Sequence, residues 1–477
     1  MSTQPVGSAP RTLFEKIWDD HAILQDESGM TLLYAARHLT HDGSHNGFTM
    51  LDQRALPVHR PRQLFAVADH GAPTVSHRME DIHDPDQLRV MKKLDENAAR
   101  HGFTAFNLAD PRQGILHVVG PEQGWTQPGM LLVALDSHTA THGALGCLAF
   151  GIGASEVCHV LATQTLWQRK PKKMRILVDG DLPFGVSAKD VILHIIASIG
   201  ADGAAGHVIE YAGSTLSAMS IEQRLTVCNM SIEAGSKAGM IAPDASTFAW
   251  LRGRPYVPKN DDWASALAYW KSLAGDEGAQ FDREASFDAT RILPMVTWGN
   301  SPAQGLPVTA HVPSPGDAQD ARRQGDMVRT LDYMDLQPGT ALVDIALDMV
   351  FIGSCTNGRI EDLREAAGVL RGRRVAVPTI ISPGSTPVKQ QAEAEGLDRI
   401  FEAAGVQWRE SGCSMCVAMN GDSVPAGKRC AATTNRNFRG RQGLGSRTHL
   451  MSPAMAAASA VRGKITDPRD FMPQVSA

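Results

Sequence analysis

Short apolar runs that end abruptly in clusters of polar, chemically capable residues constrain this chain more than any other feature. Leu64 to Ala68 runs into Asp69-His70, Leu131 to Leu135 into Asp136-Ser137-His138, and Met349 to Ile352 into Gly353-Ser354-Cys355. Such runs read as buried strands, and Arg175 to Val178 reads as another. Helical periodicity alternates with them. Ile360, Leu363, Ala367 and Leu370 predict a helix after the Cys355 turn, and Val157, Val160, Leu161 and Leu166 predict one capped by Ser155. Strands alternating with helices imply an α/β fold of layered sheets. In such sheets ligands bind beyond the carboxyl ends of the strands, so the polar clusters are expected to converge on one site.

A chain of 477 residues exceeds one ordinary core and predicts about two to four domains. The Pro-, Gly- and Asp-rich stretch 300–326 reads as an interdomain connection, and the Gly- and Ala-rich stretch 197–207 as a softer boundary. No fixed-period repeat is visible. With 46 basic and 51 acidic residues the net charge is -5, which gives no footprint for nucleic acid or an anionic membrane. The first residues lack the basic-then-apolar pattern of a secretory signal, and no run approaches the roughly 18 to 20 apolar residues of a membrane span. Seven cysteines, an odd number, argue against a disulfide framework and for a reducing, cytoplasmic setting.

Three of those cysteines stand out. Cys355 lies in the turn "GSCTN", while Cys413 and Cys416 form a Cys-x-x-Cys in "GCSMC". A redox dithiol would not need Cys355, and a closed structural zinc site would need a fourth ligand. An iron-sulfur cluster normally takes four cysteines, and three would leave one iron free to act as a Lewis acid on a substrate oxygen. Ordinary buried cysteines are the remaining alternative. Cys147, Cys158, Cys228 and Cys430 read as structural, as do His41, His45, His77, His159 and His207. Asn229 and Glu233, four apart, would share one helical face, and Glu233 taken alone reads as a solvated helix charge. Asn435, Arg436 and Arg441 taken alone read as a basic surface loop.

"GSCTN" at 353–357, "GCSMC" at 412–416, "DSHTATHGALG" at 136–146 and "TNRNFRGRQG" at 434–443 together resemble the signature blocks of the aconitase superfamily. The resemblance runs along essentially the whole chain and is strongest to large subunits of 3-isopropylmalate dehydratases. It implies an aconitase-like three-domain α/β/α core around a [4Fe-4S] cluster, with segments 1–200, 201–310 and 325–477. The cluster would be held by Cys355, Cys413 and Cys416, with one iron open to substrate. It implies a hydro-lyase that isomerises 2-isopropylmalate to 3-isopropylmalate by dehydration and rehydration, in leucine biosynthesis. Asp69, His70, His117, Asp136, His138 and Glu233 take the acid/base and catalytic roles by this resemblance. Asn46, Ser137, Asn229, Asn435, Arg436 and Arg441 take the substrate-binding ones, the arginines because guanidinium forks grip carboxylates bidentately.

The resemblance also carries expectations beyond the chain itself. The family's fourth, swivelling domain is absent from this sequence, so a separate small subunit is expected to supply it, and the chain alone is expected to be inactive. The loop "ARHLTHDGSHNGF", 36–48, departs from the dehydratase pattern where that pattern positions substrate, which points to a paralogue acting on another small dicarboxylate, such as citraconate or maleate. Two readings from other classes are an RNA-binding role, opposed by the net charge of -5, and a zinc-stabilised scaffold.

Overall fold

The computed structural model describes residues 9–471. Three parallel sheets organise the chain, and each starts on a central strand. In the first, Arg37–His41 is flanked on one side by Leu64–Val67 and Thr104–Phe106, on the other by Leu131–Ala134 and Leu148–Gly151. In the second, Lys172–Asp179 sits between His207–Ala212, followed outward by Ala238–Ile241, and Arg283–Asp288. In the third, Met349–Ile352 has Thr379–Ile381 and Gln407–Trp408 to one side and Arg429–Ala432 and Arg447–Leu450 to the other. All pairings within these three sheets are parallel. Smaller antiparallel units join Ala22–Gln25, Met30–Tyr34 and Thr165–Arg169, and Met295–Thr297 with Gly305–Pro307.

The chain winds outward from the central strand, returns, and winds the other way, leaving a switch point on each side of which crossovers diverge. Loops leaving the carboxyl ends of Arg37–His41 and Leu131–Ala134 therefore open onto a common crevice. The same holds for Met349–Ile352 and Arg429–Ala432. Strands Leu64–Val67, Leu131–Ala134 and Arg429–Ala432 are buried along their whole length, as parallel strands covered on both faces must be.

The predicted helix after the Cys355 turn is present at Ile360–Leu370. The helix near 155 runs from Ala154 to Thr163, and its cap is Gly153, whose N–H donates to the Glu156 carboxylate; Ser155 lies inside the first turn. Apolar packing falls into two large clusters, one drawing on residues up to Met295 together with Leu450, the other on residues from Val296 onward. Stretch 300–326 contributes Val308 and Val312 to the second cluster and is ordered as two 3-10 turns, a short strand and the start of helix Ala321–Met334. Lys172–Asp179, central to the second sheet, precedes the soft boundary at 197–207, and its neighbours follow it. Among the described residues no helix is long and apolar enough to cross a membrane.

Two seams bring the first and third sheets together. Ile115 N–H donates to Gly384 O and Thr386 N–H to Gln113 O, both at 2.8 Å. At this bridge a Cβ on Gly114 would lie 2.6 Å from the Cα of Ser385, so only glycine permits the approach. The second seam lies beside it, where Glu410 N–H donates to Thr74 O at 2.8 Å and His77 Nε2 meets Ser411 O at 2.9 Å.

Candidate active site

Each cysteine-bearing turn is built on left-handed backbone at a serine: Ser354 (φ 81°) precedes Cys355 and Ser414 (φ 47°) follows Cys413. Such conformations cost non-glycine residues about 1–2 kcal/mol and persist where surrounding contacts enforce them. Ser354 Oγ is held at 3.2 Å from Cys416 Sγ. Asn229 Nδ2 and Asn435 Nδ2 both donate toward Cys355 Sγ, at 3.2 and 3.4 Å, and Asn435 Nδ2 also donates to Asn229 Oδ1. Arg441 lies against Cys416. All three thiols are buried. Burial, reinforced by Cys416 and Asp136, pushes the Cys355 thiol up to about 12, and burial also pushes up Cys413, whose Sγ donates to Asp69 Oδ1 at 2.9 Å. Three thiols that share amide, hydroxyl and guanidinium donors form a seat that suits thiolates bound to metal better than free thiols. The donor set therefore fits a thiolate-held cluster. The remaining cysteines, Cys147, Cys158, Cys228 and Cys430, are buried in apolar packing.

Facing the thiols stand the histidines and carboxylates. His117 Nε2 meets Asp136 Oδ1 at 2.9 Å, and His138 Nε2 meets Glu233 Oε1 at 3.0 Å. His70 Nε2 lies 3.5 Å from Asp136 Oδ2, and its Nδ1, 3.8 Å from Asp69 Oδ2, has no hydrogen-bond partner among the described residues. The imidazole–carboxylate pairs thus cross between elements. Asp136 and His138, near neighbours in sequence, meet instead through the His138 backbone N–H, 2.7 Å from Asp136 Oδ1. Burial works to raise the Asp136 carboxyl, yet His117 and His138 hold it well below the usual range. Glu233 follows the same balance, with burial opposed by His138 and Arg436. For His70 burial pulls down, and the carboxylates of Asp69, Asp136 and Asp42 more than offset it.

The substrate-side residues divide. Arg436 Nε donates to Glu233 Oε1 and its Nη1 to Ser137 Oγ, both at 2.7 Å. Arg441 Nε is buried without a partner among the described residues. Asn229 and Asn435 sit on the thiols as described. Asn46 is exposed at the start of helix His45–Gln53 and makes no side-chain hydrogen bond among the described residues. Glu233 is largely buried, not a solvated charge. Nor does it share a helix with Asn229: helix Ile221–Asn229 ends at Asn229 and a 3-10 turn, Met230–Ala234, carries Glu233. That turn swings Glu233 toward His138 while Asn229 points at Cys355.

Four residues that sequence reasoning left out hold the arrangement together. Asp42 accepts the backbone N–H groups of Asp69, His70 and Gly71 at 2.8–3.0 Å, and so fixes the Asp69-His70 turn. His41, read as an ordinary structural histidine, packs tilted against His70 with ring centroids 4.4 Å apart and 31° between the planes. Its Nδ1 accepts from Gly43 N–H and its Nε2 donates to Leu135 O, so neither nitrogen is free for metal. Lys189, wholly buried, donates to Asn357 Oδ1 and to the carbonyls of Thr433 and Thr434, tying the Cys355 turn to the Asn435 loop. Burial, despite nearby acids, lowers Lys189 to about 7. His142 lies behind His117, with ring nitrogens 3.0 Å apart. Beside Asp136 and Ser137 a cleft of about 540 Å³, lined also by Gly151, Gly235 and Lys237, opens to the surface.

The crystal structure of Thermococcus kodakaraensis aconitase X in its holo-form is 11% identical and superposes with a TM-score of 0.44, covering 85% of this chain and 84% of that one. The family model described as "Aconitase family (aconitate hydratase)" matches residues 15–463, nearly the whole chain, a span within which all the residues of the site lie. The chain belongs to the aconitase family.

Proposed function

We propose that this chain is the large subunit of a [4Fe-4S] hydro-lyase of the 3-isopropylmalate dehydratase type, working on 2-isopropylmalate or on another small dicarboxylate such as citraconate or maleate. The observation that carries the reading is the seat of three buried thiols, crossed by amide and hydroxyl donors, set against imidazole–carboxylate pairs and two arginines. Cys355, Cys413 and Cys416 would hold the cluster, which when bound supplies Lewis acidity to a substrate hydroxyl.

The chain's own residues account for the rest of the reaction. Hydroxide leaves poorly, so a proton must reach the departing oxygen. His70 is placed to give it, with Nδ1 free and the ring steadied by His41 and Asp136. Asp136 and Glu233 stay ionised and hold the rings of His117 and His138 in fixed orientations, which lets those imidazoles move protons without turning. Arg436 is held by Glu233 and Ser137, and Arg441 keeps a free Nε; both suit a substrate carboxylate. Elimination also needs a base at the carbon next to the hydroxyl. A small subunit closing over the cleft beside Ser137 is the proposed source of that base and of further carboxylate contacts, in a cytoplasmic complex.

The test is anaerobic reconstitution with iron and sulfide, followed by kcat/KM on 2-isopropylmalate, citraconate and maleate with and without a dehydratase-type small subunit. Turnover of one substrate only in the presence of the subunit is expected. A chain that binds no iron, or a loaded complex that turns over none of the three, ends the proposal.

A further inference from the structure

One helix from each of the three parallel sheets, Leu116–Gln123, Ile221–Asn229 and Ile360–Leu370, borders a cavity of about 210 Å³. Val118, Leu225 and Val388, all buried, give it apolar walls. Glu122, Glu222, Arg254 and Arg359 border the same space. Two positive and two negative groups around one gap would ordinarily close on one another as ion pairs. Here each is committed elsewhere. Arg254 donates from Nε to Trp250 O at 2.8 Å and from Nη1 to Glu122 O at 2.7 Å. Arg359 donates from Nη1 to Thr356 O at 3.0 Å and from Nη2 to His117 O at 3.4 Å. Ser385 Oγ donates to Glu122 Oε2 and Trp250 Nε1 to Glu222 Oε1, both at 2.8 Å.

Those commitments leave a complementary set of groups unused. A guanidinium carries five N–H donors, so each arginine spends two of five on backbone carbonyls and keeps three. Each glutamate keeps one carboxylate oxygen without a hydrogen bond among the described residues. Gln123, only 7% exposed, also lines the cavity, and its Oε1 is buried with no partner among the described residues. Spare cationic donors, spare anionic acceptors and an unpaired amide oxygen thus share one small space with apolar walls. At roughly 30 Å³ per water, the space holds about seven waters, or one solute with a comparable number of heavy atoms. A dicarboxylate there would set its charge against two glutamates, and a simple cation would face two guanidinium groups. A molecule that carries both signs and no net charge matches the set.

We propose that this cavity binds a free α-amino acid with a small aliphatic side chain: Arg254 and Arg359 take its carboxylate, Glu122, Glu222 and Gln123 Oε1 take its ammonium group, and Val118, Leu225 and Val388 take its side chain. An ammonium group has three donors and no acceptor, and the three oxygens left over here match that count. The state of Glu122 agrees with such a ligand. Burial raises its carboxyl to about 7, and a cation set beside it would favour the ionised form. Arg359 also holds the carbonyls of Thr356, next to Cys355, and of His117. An occupied cavity would therefore share one guanidinium group with both halves of the active site. The inference stands on this cavity alone and does not depend on which reaction the thiol seat supports.

The test is isothermal titration calorimetry of the full-length chain with L-valine and L-leucine. At least one of them is expected to bind, one molecule per chain, with a Kd of about 1 mM or tighter. L-valinamide lacks the carboxylate and N-acetyl-L-valine lacks the ammonium group. Each derivative is expected to bind at least about tenfold more weakly than the amino acid, because it leaves charges of the cavity unpaired. Arg254→Gln and Glu222→Gln are expected to weaken the amino acid by about the same factor. An excess of maleate should leave the bound amino acid in place, which separates this cavity from the thiol seat. No binding of either amino acid at about 10 mM, equal binding of the amide or the acetyl derivative, or displacement by maleate overturns the proposal. Those three readings are taken on the parent chain, so they hold even if a variant does not fold.

Discussion

At Cys355 two amide groups, from Asn229 and Asn435, converge on one sulfur, and each asparagine is also bonded to the other. Partners of this kind around a metal-bound ligand typically change metal affinity about 10–100-fold when removed. Asn435→Ala is therefore expected to lose iron at least about tenfold faster than the parent after reconstitution, read as iron and sulfide per chain over time. Retention equal to the parent would show that the amide does not support the sulfur. The three thiols, His138, Arg436 and Arg441 lie in the motifs that carry the resemblance, which also named His70 and His117, whereas His41 was read as structural and His142 was not singled out. The partners of each side chain were not legible in the sequence. In the structure the carboxylate of Asp136 meets the ring of His117, and Glu233 meets that of His138. Lys189 was missed because a lysine at the start of an apolar helix ordinarily reaches solvent, and only the loops of 357 and 433–434 closing over it make it buried.

Turns and helices carry the next level of precision. The Asp69-His70 turn depends on one carboxylate, Asp42, which receives three backbone N–H groups. Asp42→Asn keeps one oxygen but turns an amide N–H toward one of these donors. It is expected to lose about 1–3 kcal/mol, and Asp42→Ala more; denaturant titration reads both, and unchanged midpoints would contradict the assignment. The signal was present in the sequence as a polar strand, Arg37–His41, running into Asp42. It was passed over because the strand lacks the apolar run that marked the others. Helix Leu116–Gln123 bears His117 on one side and Glu122 on the other, where Glu122 Oε2 accepts from Ser385 Oγ in a separate cavity of about 210 Å³ shared with Arg254 and Arg359. Burial raises Glu122 to about 7 against the pull of Ser385 and the arginines. A carboxyl raised on folding binds more protons in the native state, so its contribution favours the fold at low pH and is lost as pH rises from about 4.5 through 7. Glu122→Gln is expected to be more stable than the parent at pH 8, by about 3 kcal/mol, and to converge with it near pH 4.5. A constant difference across that range would contradict the shift.

Across the whole molecule the three parallel sheets share one plan, with the first strand central and the chain winding outward to either side. Composition and periodicity foresaw layered α/β structure, yet no internal repeat was visible in the sequence. A repeated topology needs only the same order of strands and crossovers, which many unrelated sequences satisfy. Site geometry depends on how the first and third sheets approach, and Gly114 against Ser385 sets that distance. Gly114→Ala must push the seam apart or distort it, at a cost of about 1–3 kcal/mol. Iron retention is expected to fall while far-ultraviolet circular dichroism stays close to the parent; full iron content would show that the seam tolerates the methyl group. The seam also bears on the order of events during synthesis. Asp42, Asp69, His70 and His117 leave the ribosome with the first sheet, whereas Cys355 and the Cys413–Cys416 pair arrive only with the third. Because chains fold from the N-terminal side as they emerge, the protonic half of the pocket stands ready before any sulfur can meet it. Loading of the proposed cluster would then be the closing act of biogenesis, confined to a cradle already walled by its histidines and carboxylates.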